Sequence, residues 1–236
     1  MRAALLLILL LASSTFALEM PMIKKARPQV PTASVDSRPP IYQIDNFDGK
    51  TLSEKRPWWV FGNLKAEMQE NPPIESRVAG PRSLRLKGKT SEWVIGGIGS
   101  YLGMDIDGYN ALKVLIFGNG PASGDLVFEL YDDDNRNWKL ELDDTTQSIP
   151  VADDKLIYTL KVDWTGWKWA TLPLADFRDD NPKSGDDKWN PDQKDGSGGL
   201  LQMQVVVFAD ELRGKVDIKL DSIRILKASL DELTPE

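Results

Sequence analysis

The chain contains no histidine and no cysteine, which excludes the Ser-His and Cys-His nucleophile systems and nearly all catalytic zinc sites. Carboxylates are the acid–base groups that remain. Glycoside hydrolysis by two carboxyls needs them across a cleft, one with its pKa raised by burial, whereas the acidic residues here fall in Asn- and Gly-rich stretches that predict exposed loops. The runs Asp132-Asp133-Asp134, Asp143-Asp144, Asp153-Asp154, Asp179-Asp180 and Asp186-Asp187 read as solvated surface rather than as a second cation site. No calcium loop of the EF-hand kind is recognisable. Other residues suit recognition better than reaction. Glu129 and Tyr131 occupy alternate positions of one predicted strand, Gln202 and Gln204 those of another, and Trp169 alternates away from Ala170 and Leu172. Aromatic faces flanked by amides and a carboxylate match the apolar face and the hydroxyls of a sugar ring. The same aromatics would serve equally well packed beneath loops.

The elements that must position these residues are strands. Apolar residues alternate at period two in short runs bounded by Gly, Pro, Asn and Asp. Strands are predicted at 41–47, 58–61, 83–86, 93–98, 112–117, 125–131, 138–142, 156–162, 168–172, 201–208 and 216–226, the last broken near Leu220. A short helix is an option at 228–233. Leu126-Phe128-Leu130 and Met203-Val205-Val207 present apolar residues on one face, with Glu129, Tyr131, Gln202 and Gln204 on the other. The pattern predicts an all-β fold, two antiparallel sheets packed face to face as a jelly-roll β-sandwich. Trp58 and Trp59 cannot both point inward from one strand. Trp167 is assigned to the core. The segment 178–199 has no apolar periodicity, and loops of that length tend to be functional; Trp189 within it points the same way.

Residues 1–17 predict the compartment. Arg2 precedes an unbroken apolar run from Leu5 to Leu11, and Thr15-Phe16-Ala17 ends in a small residue suited to cleavage, the pattern of a signal peptide. The run is too short to span a bilayer, so an exported, periplasmic or extracellular protein with no membrane span is expected. A Pro-containing entry segment (18–40), one binding domain (41–226) and a tail (227–236) complete the expected organisation. Without cysteine the core must supply stability alone. A net charge of −7 argues against a nucleic-acid partner, which would require clustered Lys and Arg.

Four segments carry a resemblance to a known family: Ile44-Asp45-Asn46-Phe47-Asp48-Gly49, Gly80-Pro-Arg-Ser-Leu-Arg-Leu86, Gly166-Trp-Lys-Trp-Ala-Thr-Leu-Pro-Leu-Ala-Asp-Phe177 and Val216-Asp-Ile-Lys-Leu-Asp-Ser-Ile-Arg-Ile225. In this order they resemble family 11 carbohydrate-binding modules and the related complex I intermediate-associated domain, both galactose-binding-like jelly rolls. The chain departs from the pattern in an insertion at about 143–155 and in reading Asp-Asn-Phe-Asp where the family prefers Asp-Asp-Phe-Glu. A fainter resemblance links the Trp58-Trp59-Val60 opening to periplasmic flagellar filament outer-layer proteins of spirochaetes.

The first resemblance implies a non-catalytic protein that binds polysaccharide on a concave sheet. It also implies a structural calcium held by Asp48, after the opening Phe, and by Asp221, which opens the last strand. The second implies a structural subunit of an extracytoplasmic assembly, partnered by protein.

Overall fold

Strict alternation in the longest apolar runs leaves each run one face to bury, and two sheets closing on those faces form the sandwich. The computed structural model describes residues 39–121, 123–145, 149–191, 193 and 197–233; the expected signal peptide and most of the entry segment lie outside them. The strands are β1 (Ile41–Asp45), β2 (Trp59–Gly62), β3 (Lys65–Glu70), β4 (Arg82–Lys89), β5 (Val94–Met104), β6 (Ala111–Asn119), β7 (Asp125–Asp133), β8 (Asp154–Lys161), β9 (Thr165–Pro173), β10 (Arg178–Asp179), β11 (Gly199–Phe208) and β12 (Lys215–Leu226). Helix is confined to two single turns, α1 (Ser76–Ala79) and α2 (Leu230–Leu233), and a 3-10 turn at Leu174–Asp176. No helix among the described residues is long and apolar enough to cross a membrane.

The first sheet runs β3-β4-β12-β6-β9, and the second β10-β8-β7-β11-β5-β2. All pairings are antiparallel. The fold is an antiparallel β-sandwich of jelly-roll type. Leu84, Leu86, Leu112, Val114, Ile116, Ile218 and Leu220 of the first sheet meet Ile98, Leu126, Phe128, Leu130, Met203, Val205 and Val207 of the second in one buried cluster. β12 changes partner along its length. Its first half pairs with β4 and its second with β1, and the ladder to β6 slips between Asp221 and Arg224. Ser222 sits at that slip with φ of 45°, so Asp221 is carried inward at the point where β1 joins.

Three elements differ from the sequence reading. β3 escapes the period-two pattern, because its Lys-Ala-Glu-Met-Gln-Glu has only Ala66 and Met68 to pack on the core; charge on an exposed edge strand is the usual guard against edge pairing. The predicted strand at 138–142 is a loop, with a single bridge between Leu142 and Pro150. β5 continues past Ile98 to Met104, through glycines that look like a turn in one dimension. These glycines make room. A Cβ on Gly97 would lie 2.5 Å from the Phe61 ring, and one on Gly99 would overlap the Trp59 indole.

Gly99→Ala should therefore lift Trp59 off the sheet and cost about 1–3 kcal/mol, the usual penalty of overpacking. Denaturant unfolding measures the loss and the tryptophan emission maximum reports the ring. Unchanged stability together with an unchanged spectrum would mean that Trp59 is not held by close approach to Gly99.

Candidate functional site

Register places the recognition residues in rows across the outer face of the second sheet. Tyr131 lies between Lys155 and Gln202, and Gln202 is opposite Tyr101. In the next row Ile157, Glu129, Gln204, Gly99 and Trp59 follow one another from β8 to β2. Glu129, Tyr131, Gln202 and Gln204 are thus brought together on one face. Their accessibility differs. Tyr131 is 3% exposed and Gln202 fully buried, because Trp138 and Leu140 of the 134–142 loop pack with Tyr131 and Leu201. Neither atom of the Gln202 amide has a hydrogen-bond partner among the described residues. Tyr131 Oη donates to Glu129 Oε2 at 2.7 Å, and Lys155 Nζ lies 3.8 Å from Glu129 Oε1, so the Glu129 carboxylate is held in place.

The open part of this face lies one strand further over. Trp59 rests on Gly99 with its ring centroid 5.1 Å from that of Tyr101, and both rings are half-buried. Burial pushes the Tyr101 hydroxyl up to about 12, which keeps it a neutral donor. Sequence reasoning says of this region only that Trp58 and Trp59 must point opposite ways. Trp58 is the inward one, its Nε1 donating to Asp45 Oδ2 at 2.9 Å. The signal that would have singled out Trp59 and Tyr101 is the Gly97-x-Gly99 alternation, which bares one side of β5 for rings to lie on.

Trp169 does not join this group. β9 belongs to the first sheet, where Trp169 lies opposite Leu115, on the far side of the sandwich. Arg224 stands 4.7 Å and Lys113 5.8 Å from its ring, so cations already occupy its π-surface. Trp167, assigned to the core from sequence, is also on that outer face, half-buried, with Nε1 donating to Glu75 Oε2 at 3.2 Å. Trp189 packs against the end of the core, closing a shallow depression with Ile106, Tyr109 and Leu174.

The acidic runs are not uniformly solvated surface. Asp132, Asp133, Asp153 and Asp154 are sealed from solvent, while Asp144, Asp179, Asp180, Asp186 and Asp187 are exposed. Asp132 accepts from Ser197 Oγ at 2.9 Å and from the Asn190 N–H at 2.8 Å; Asp154 accepts from the Lys188 N–H at 3.0 Å. These bonds tie the long 178–199 loop to the end of β7, which is why carboxylates are buried there. Burial pushes Asp132 and Asp153 up to about 8 and Asp134 up to about 7. Carboxylate oxygens of Asp134, Asp154 and Asp186 all lie within 4.8 Å of one another, an arrangement able to hold a metal ion.

Asp48 lies near enough to Asp221 for its charge to act there. Burial, then the nearby Asp48 charge, pushes Asp221 up to about 7 against hydrogen bonding from Ser222. Asp48 Oδ1 and Asp221 Oδ2 are buried without a hydrogen-bond partner among the described residues. Two hard anionic oxygens left unpaired at the junction of β1 with β12 fit a calcium ion.

No protein-family model matches the chain, and no curated protein matches it in sequence. Solved structures match its fold. It is similar to the family 11 carbohydrate-binding module of the cellulosomal cellulase Lic26A-Cel5E of Clostridium thermocellum, with a TM-score of 0.50 and 12% identity over 80% of this chain and 95% of that one. An exo-beta-agarase aligns with a TM-score of 0.52 and 12% identity over 80% of this chain and 25% of that one. A family 30 carbohydrate-binding module aligns with a TM-score of 0.49 and 14% identity, covering 80% and 99% of the two chains. The likeness is one of fold: this chain has the β-sandwich on which carbohydrate-binding modules are built.

Proposed function

We propose that the protein is an exported, non-catalytic carbohydrate-binding protein that holds a polysaccharide against the outer face of the second sheet. The observation that carries this reading is the Trp59–Tyr101 ring pair laid over Gly99, with Gln204 and Glu129 in the same and adjoining register positions. The rings offer an apolar platform for a pyranose face, and the Tyr101 hydroxyl and Glu129 carboxylate offer a donor and an acceptor for its hydroxyls, with the Gln204 amide buried behind them. Tyr131 acts beneath this surface as a positioning residue for Glu129. Gln202 lies under the same roof, and Trp169 has no part in the site. The alternative role as a subunit of an extracytoplasmic assembly draws no support from this geometry.

Calcium at Asp48 and Asp221 belongs to the same proposal and serves the fold, because its charge offsets two carboxylates that burial would otherwise set against each other. It would hold the exit of β1 against the slip in β12.

Two outcomes are expected. Trp59→Ala should weaken glycan retention about tenfold or more, as removal of an aromatic hot spot worth about 1.4 kcal/mol or more does, read by affinity electrophoresis in soluble glycans and pull-down on insoluble ones. Retention by no glycan of the panel, or equal retention by wild type and Trp59→Ala, would defeat the reading. For the metal, Asp221→Asn should forfeit the stabilisation this site draws from calcium, about 2.7 kcal/mol at a concentration one hundred times Kd. Thermal unfolding with and without chelator measures it; a wild-type melting temperature indifferent to chelation would remove calcium from the proposal.

A further inference from the structure

The loop from Asp133 to Glu141 places oxygen-bearing side chains at every second position: Asp133, Asn135, Asn137 and, after Lys139, Glu141. Its backbone is wound by those side chains. Asn135 Oδ1 accepts from the Asn137 N–H at 3.0 Å, Asn137 Oδ1 from the Lys139 N–H at 2.7 Å, and Asp133 Oδ2 from the Trp138 N–H at 2.9 Å. Trp138 has φ of 56°, at the step where calcium loops of this spacing make their sharp turn and usually place glycine. The full EF-hand signature is absent because tryptophan stands at that step and the closing carboxylates come from elsewhere. Loop geometry alone names no ligand.

The ligand is indicated by Asp153, which enters from outside the loop. It is fully buried, and neither of its carboxylate oxygens accepts a hydrogen bond of good geometry, although the Asp134 N–H lies near enough to favour its charged form. It faces Asp133 and Glu141, both close enough to act on its charge. Asp133 is fully buried as well, with Oδ1 unpartnered. Both Asn side chains turn their amide nitrogens to Glu141, Asn135 Nδ2 at 3.4 Å from Oε2 and Asn137 Nδ2 on Oε1. The segment carrying Asp153 runs beside the loop, the Val151 N–H donating to the Glu141 carbonyl at 3.0 Å and the Asp154 N–H to Asp134 Oδ2 at 2.8 Å. Hydrogen bonds from the protein leave three oxygens of two sealed carboxylates unsatisfied, which calls for a bound cation or a proton to complete them.

We infer that Asp133, Asn135, Asn137, Glu141 and Asp153 form a calcium site, separate from Asp48 and Asp221. Asp153 brings two oxygens and Asp133 one that no protein group meets, and Glu141, Asn135 and Asn137, now bonded to one another and to backbone N–H groups, supply the remainder of the roughly six to eight oxygens calcium takes as their amides turn to the ion. Mixed carboxylate and amide donors on a loop suit calcium better than magnesium, which keeps most of its water and demands a stricter octahedron. The ion fastens Trp138 and Leu140 over Tyr131 and Leu201, so it orders the wall that bounds the outer face of the second sheet. The site stands whether or not that face binds a glycan.

Terbium luminescence excited through tryptophan tests the assignment, because Trp138 lies inside the loop. The full-length chain carrying Asp221→Asn and Asp186→Asn, which disable the Asp48–Asp221 pair and the Asp134–Asp154–Asp186 cluster, is titrated with terbium and then with calcium. Saturable emission displaced by calcium is expected. Adding Asp153→Asn should weaken terbium binding by more than the ~10–100-fold that loss of an outer-sphere partner costs, and Trp138→Phe should cut emission severalfold while the calcium-dependent rise in melting temperature persists. Asp153→Asn removes a buried charge, so in chelator it should be at least as stable as its parent; if it does not fold, Trp138→Phe decides alone. Undiminished affinity in Asp153→Asn, undiminished emission in Trp138→Phe, or no terbium emission in the parent would each overturn the site. None of these readouts involves glycan, so a failed sugar-binding experiment leaves them untouched.

Discussion

Negative charge sealed at one end of the sandwich sets the terms on which that end can fold. Asp132, Asp133, Asp153 and Asp154 are all removed from water, and each isolated buried ion costs several kcal/mol unless it is met by charge or hydrogen bonds. Part of the compensation is visible. Backbone N–H groups of Trp138, Lys188 and Asn190 and the Ser197 hydroxyl point at these carboxylates. Every one of those donors belongs to a long connection rather than to a strand. The carboxylates therefore do for the 134–142 and 178–199 segments what a disulfide does in many small domains, and the chain has no cysteine to do it otherwise. The consequence is that the charge must be answered in full, and Asp153 is the place where protein groups alone fall short.

The two outer faces of the sandwich have diverged in what they leave free. On the first sheet, cross-strand pairs link Lys87 to Glu67 at 2.7 Å and Arg85 to Asp217, and Lys219 reaches Glu75, just before α1, at 2.6 Å. Solvent-facing pairs such as the first two contribute about 0–1 kcal/mol each, so they describe a solvated surface more than a source of stability. Their effect on the aromatics is larger. Lys219 lies 4.7 Å from the Phe117 ring and Arg224 covers Trp169, leaving those rings committed. On the second sheet the glycines of β5 put Trp59 and Phe61 directly against the backbone, and no cation is stacked on either among the described residues. An uncommitted ring on a flat support is what a sugar face can use.

How much of this is legible in one dimension depends on whether period two carries enough information. For Leu126-Phe128-Leu130 against Met203-Val205-Val207 it does, since every core position is apolar and the outer ones are polar or amphipathic except for the Val127–Val206 pair, and the sandwich follows. Parity says which residues share a face of a strand, yet it does not say which sheet the strand joins. That is why parity groups Trp169 with Tyr131 although it lies across the core from it. The 138–142 segment shows the opposite failure. Trp138, Leu140 and Leu142 do pack to one side as alternation requires, but Asp133, Asn135 and Asn137 take the backbone N–H groups that a ladder would need, a competition inherent to Asp and Asn. Composition reads the acidic pairs as surface, and it cannot register that a run ending a strand is carried under two loops.

The carboxylates of the second sheet divide into those a ligand could touch and those it could not. A general acid needs a raised pKa and contact with its substrate. Asp132 and Asp153, pushed up to about 8, meet the first requirement and, being fully buried, fail the second. On the open face Glu129 is reachable, and Tyr131 and Lys155 hold its carboxylate in place. The other acids of β7 on the same side, Asp125 and the fully buried Asp133, lie four residues along the strand in either direction. At ~3.3 Å per residue each is about 13 Å from Glu129, beyond the ~5–9.5 Å over which paired carboxylates of retaining or inverting glycosidases work. A chain held across Trp59 and Tyr101 would meet Glu129 as a carboxylate that Tyr131 and Lys155 hold in place, with Lys155 also paired to Asp180 at 2.5 Å.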